Sequence, residues 1–174
     1  MSHKQGIVLF VLLGLVAAGC GGGAEDAASE EPARKIRRGM AYVDPPKDSE
    51  SEFRCTAIFI NEPGQLALQI DVEDAPKTKL MVHIHQGADC ETPGGRWNPD
   101  GVDRAGWEEG VTHLGDIGEF MVDAEGKGSI TLTTGRWTMG STEANDVMGK
   151  VMLVFEAAED AGSEPLGCGV IKVG

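Results

Sequence analysis

The stretch KLMVHIHQGADC, residues 79–90, alternates strictly over its first seven positions. Leu80, Val82 and Ile84 share one face, while Lys79, Met81, His83 and His85 share the other, which is the period-two pattern of a strand with one face in a core. Both histidines therefore point away from the core, beneath whatever the following loop covers. Two imidazoles two residues apart on one strand face can reach a single ion, and Cys90 follows close behind.

The same signal recurs along the chain. Strands are expected at Ile36 to Val43, Glu52 to Asn61, Gln65 to Val72, Lys79 to His85, Gly118 to Asp123, Gly128 to Thr134, Lys150 to Glu156 and Cys168 to Val173, with no stretch of convincing helical spacing. Turn chemistry separates them. Pro45-Pro46 cannot donate ladder hydrogen bonds, Asn61-Glu62-Pro63-Gly64 is a tight-turn sequence, and the segment Asp123 to Gly128 supplies glycines for positive φ. The expectation is an all-β sandwich or barrel of eight strands. Two connections are long, Gln86 to Ile117 and Ala157 to Gly167, and long loops on a rigid barrel are where function usually sits.

Residues before the barrel read differently. Lys4 and an apolar run from Ile7 to Val16 precede small residues and Cys20, the layout of a secretory signal, and the run is too short to favour a membrane span. Ala17-Ala18-Gly19-Cys20 resembles the lipobox of bacterial lipoproteins, in which the cysteine carries lipid and becomes the mature N-terminus. An ordinary cleaved signal with an incidental cysteine is the alternative. The division is then a signal peptide at 1–19, a lipidated Cys20 with a charged, aperiodic tether to residue 38, and a domain over 39–174. Such a protein is exported to the bacterial cell envelope and held at a lipid bilayer. Gly21 after the cysteine resembles lipoproteins sorted to the outer membrane where one exists.

Charge narrows the partners. From Gly39 onward the chain has 24 acidic and ten basic residues, a formal charge of about −14, which argues against nucleic acid. No sequence feature names a protein partner. With Cys20 assigned to lipid, Cys55, Cys90 and Cys168 remain in an oxidising compartment, so two can pair and one is left over. Cys55 shares a strand face with Phe53, Ala57 and Phe59 and reads as a buried, inert thiol. Trp97, Trp107 and Trp137 read as residues that pack the loops. Nucleophile elbows, phosphate loops and Cys-x-x-Cys pairs do not occur.

Several pieces in order, HIH at 83–85, GGRWNP after Cys90, HLGDIG at 113–118, GKVMLVFE at 149–156 and CGVI at 168–171, resemble the copper/zinc superoxide dismutase family. The resemblance spans residues 39–174. It implies an eight-stranded Greek-key β-barrel with its metal site outside the barrel under two loops, and a disulfide from Cys90 to Cys168. In that family copper takes four histidines, one shared with zinc, and zinc takes two more and an aspartate. His83 and His85 match two copper ligands; His113 and Asp116 match part of the zinc set. The bridging histidine's place holds Arg96, the other zinc histidine's place falls at Arg104, the remaining copper ligand is replaced by Phe155, and Pro165 stands where a substrate-guiding arginine is expected.

Guanidinium stays protonated and offers no lone pair, and phenyl has no donor atom. Half of each site survives. Two arginines could hold Asp116 by bidentate hydrogen bonds and order the loop in place of zinc. Zinc is therefore not expected. One copper ion could be held by His83 and His85, with Met81 as an auxiliary thioether suited to Cu(I). The resulting reading is a dismutase-like surface lipoprotein with an incomplete metal site and little or no dismutase activity, open to one copper ion. The alternatives are an active copper-dependent dismutase and a metal-free interaction module.

Overall fold

A computed structural model describes residues 37–101, 113–157 and 164–174. The segment read as a signal peptide, Cys20, Ile36, Arg104 and Trp107 lie outside the described residues. Among the described residues nine strands run in chain order: β1 Arg38–Val43, β2 Arg54–Glu62, β3 Gln65–Glu73, β4 Lys79–His85, β5 Asp116–Met121, β6 Gly128–Thr134, β7 Val151–Glu156, β8 Gly167–Val170 and β9 Lys172–Val173. They form two antiparallel sheets, ordered β6-β3-β2-β1-β9 and β5-β4-β7-β8. This is the expected all-β Greek-key sandwich.

Alternation explains which faces meet. Val43, Cys55, Ala57, Phe59, Leu68, Ile70 and Val72 from the first sheet are buried with Leu80, Val82, Ile84, Met152 and Val154 from the second. All residues of this core lie between Ala41 and Ile171. Beside β4, β7 buries four consecutive residues, Val151 to Val154, because loops cover its outer face as well.

The last element differs from expectation. The single strand read at Cys168 to Val173 is two strands: β8 pairs with β7 in one sheet and β9 with β1 in the other. The change occurs at Ile171, which is fully buried between the sheets while its amide bonds back to Lys150 O at 2.9 Å. Asp44 and Cys168 exchange both backbone bonds, at 3.1 and 2.9 Å, so β1 and β8 close the sandwich along this side.

Cys90 and Cys168 form a disulfide, with Cα atoms 5.8 Å apart, tying the long loop after β4 to β8. Cys55 is free and buried; burial, with Asp71 nearby, pushes its thiol up to about 12. Trp97 and Trp137 are buried with ring centroids 6.4 Å apart, and Trp137 Nε1 donates to Leu114 O at 2.9 Å. They pack the loops, as expected.

Candidate functional site

The site begins with a defect in a ladder. Along β4 and β5, Met81 pairs with Glu119 and Val82 with Gly118, but His83 pairs with Asp116, so Ile117 is an extra residue in a bulge. Without it Ile117 would stand opposite His83 and Asp116 would turn to the core. The bulge buries Ile117 instead and aims the Asp116 carboxylate across the strand at His83. Gly118, at φ 143°, is the residue that allows this bend.

The loop after β4 returns to the same place. Gln86 N donates to Gly95 O and Trp97 N to Ile84 O, at 3.0 and 2.9 Å, forming a short bridge in which Arg96 stands opposite His85. The HLGDIG segment fits against it through Gly115, whose carbonyl accepts from Ile84 N at 2.8 Å. A Cβ on Gly115 would lie 2.2 Å from Ile84 O, so only glycine allows this approach. Directly opposed residues share a face, so the Arg96 side chain emerges on the histidine side of β4.

Its guanidinium joins His83 to Asp116. Arg96 Nη2 donates to His83 Nδ1 at 3.0 Å, and Nη1 lies 3.0 Å from Asp116 Oδ1, an ion pair without hydrogen-bond alignment. His83 and Asp116 are almost fully buried, and His83 Nε2 lies 4.0 Å from the carboxylate. Because guanidinium only donates, His83 Nδ1 must be the unprotonated nitrogen. The other carboxylate oxygen accepts from His113 N at 3.0 Å, which holds the loop start in place.

His85 is set differently. Its Nδ1 donates to Gly94 O at 2.9 Å, which leaves Nε2 as the lone-pair nitrogen, and that atom is buried without a hydrogen-bond partner. Burial lowers its pKa below 6.5, and the Arg96 charge adds to the effect. His113 Nδ1 is likewise buried without a hydrogen-bond partner. The Phe155 ring caps the pair, its centroid 5.9 Å from that of His83 and 6.5 Å from that of His85. Met81 is half-buried, with Phe155 and Glu119 as its ladder partners.

The structure thus brings together His83, Asp116, Arg96 and Phe155, with His85 beside Phe155 and His113 behind the carboxylate. Arg96 was expected at Asp116 through both nitrogens; its fork is instead divided between Asp116 and His83. These residues do not fit a two-metal set. The His83 Nδ1 lone pair is engaged by the Arg96 guanidinium, which has none of its own to give, and the ring packed over the histidines, Phe155, offers no donor. Among the described residues, no group of three or more His, Cys, Asp or Glu side chains converges as a metal site would.

Known proteins carry the same framework. The chain is 28% identical over 130 residues to the extracellular superoxide dismutase [Cu-Zn] of Drosophila melanogaster, covering 71% of each chain. It is 28% identical over 107 residues to the human copper chaperone for superoxide dismutase, covering 52% of this chain and 37% of that protein. The crystal structure of the clock protein EA4 superposes with a TM-score of 0.64 at 20% identity, over 80% of this chain and 96% of that one, a likeness of fold. The family profile for copper/zinc superoxide dismutase (SODC) matches residues 54–171, more than half of the sequence, and the chain belongs to the copper/zinc superoxide dismutase family.

Proposed function

We propose that this protein is a lipid-anchored member of the family in the bacterial cell envelope, with little or no dismutase activity. The observation that carries this reading is Arg96, whose guanidinium links His83 to Asp116 where the family places a metal-bridging histidine. Dismutation by the family's chemistry needs copper held firmly in two oxidation states, and a site of this kind does not supply those ligands. An acidic domain and Pro165 in place of a guiding arginine oppose approach of an anionic substrate. The Ala17-Ala18-Gly19-Cys20 pattern supports the anchor.

The test is superoxide turnover and metal content of protein loaded with copper and zinc. Turnover indistinguishable from a blank is expected. Rapid turnover abolished by His83→Ala would overturn the reading. Separately, Cys20→Ser should release the protein from the membrane fraction.

A second reading, a site for one copper ion without dismutation, is favoured by His85. Its Nε2 is a buried imidazole lone pair with no hydrogen-bond partner, and Met81 lies on the same strand face. Titration with Cu(I) and Cu(II) separates the two readings. One equivalent bound by wild type and lost in His85→Ala supports the copper site. No binding by wild type leaves a metal-free interaction module.

A further inference from the structure

We propose that the edge of the first sheet where the chain enters β1 is a membrane-facing surface that rests on anionic phospholipid. Arg37 and Arg38 open this edge, and Lys172 stands beside them, its Cα paired with Met40 on β1. All three are exposed and make no salt bridge among the described residues, as is true also of Lys47, Lys77 and Lys127 at the opposite end of the sheet. Arg34 and Lys35 precede them in the sequence. Glu62, engaged by Gln65 Nε2, is an acid nearby in the register. In a domain of about −14, this is a local excess of positive charge.

Apolar surface coincides with it. Of the exposed large apolar residues, Ile60 (47% exposed) pairs with Arg38 and shares its face with Tyr42 (63%) further along β1, while Val173 (65%) pairs with Gly39 and lies on the other face of the edge strand. Cations that meet headgroup phosphates beside side chains that enter the headgroup layer are the chemistry of an interfacial surface. The occupant follows from charge and connectivity: the tether from Cys20 joins the domain at this edge. The proposal rests on the lipid-anchor reading for its orientation in the cell.

The chain from Gly21 onward contains the whole core and can be sedimented with vesicles of phosphatidylcholine, alone or mixed with phosphatidylglycerol. Binding to the mixed vesicles at low salt, and little to the neutral ones, is expected. Arg37→Gln/Arg38→Gln/Lys172→Gln should lower partitioning by on the order of 100-fold. Ile60→Ser/Val173→Ser should lower it by about tenfold. A matched triple at the opposite end of the sheet, Lys47→Gln/Lys77→Gln/Lys127→Gln, should leave it unchanged. Absent binding to mixed vesicles, or equal losses in the two triples, overturns the proposal; so does self-association in solution that the Ile60 and Val173 changes abolish. The mass of the N-terminal peptide from bacterially exported protein reads lipidation independently, so loss of the anchor and loss of the surface are distinguishable.

Discussion

Arg96 is the cation between His83 and Asp116, and its surroundings set what its removal should cost. Asp116 retains 5% side-chain exposure and Arg96 22%, so Arg96→Ala leaves a nearly buried carboxylate without its counter-ion. A loss of about 2–4 kcal/mol in urea unfolding is expected, below the upper range for fully buried pairs because Arg96 is partly solvated. In an Asp116→Asn background, which keeps an acceptor for His113 N, the same change should cost about 1 kcal/mol or less. Equal costs in both backgrounds would show that Arg96 acts by packing alone. That Arg96 and Phe155 offer no metal donor was legible in the sequence, because guanidinium and phenyl are chemically unable to serve. The division of the guanidinium between His83 and Asp116 was not, since it depends on a bulge and a loop bridge formed by distant residues. Cys55 permits a second test. Its thiol stays protonated in the fold to about 12 but ionises from 9 when unfolded, so the unfolded state loses its proton first and this contribution to stability falls as pH rises above 9. Alkylating reagents at pH 8 should label Cys55 only after denaturation.

Strand identity was legible wherever alternation met turn residues, which is why β2, β3, β4, β6 and β7 lie where the pattern puts them. The division of the last strand was not. Both flanks of Ile171 are extended, and periodicity carries no information about which neighbour receives the hydrogen bonds. The bulge at Ile117 was hidden for the same reason, and the strand read as beginning at Gly118 starts at Asp116. The disulfide closes a loop across 78 positions of sequence, from the segment bearing Arg96 to β8. Cys90→Ala/Cys168→Ala should destabilise the protein by about 2–5 kcal/mol, measured against wild type under non-reducing conditions. A change below about 0.5 kcal/mol would mean that ladder and core contacts alone fix the loop.

The core spans both sheets, and Arg96 with Asp116 fastens the loop that carries it. Treatment with a strong chelator should therefore leave the melting temperature within about 2 °C of its starting value, whereas loss of a structural ion worth several kcal/mol would move it much further. The two ends of the described domain meet, since Gly174 N donates to Arg38 O at 3.1 Å across the β1–β9 edge. The barrel is thus nearly a closed circuit of chain, and a circular permutant should fold. A few residues would suffice to join 174 to 37, and new termini could open in the Asn61 to Gly64 turn without breaking the core or the disulfide.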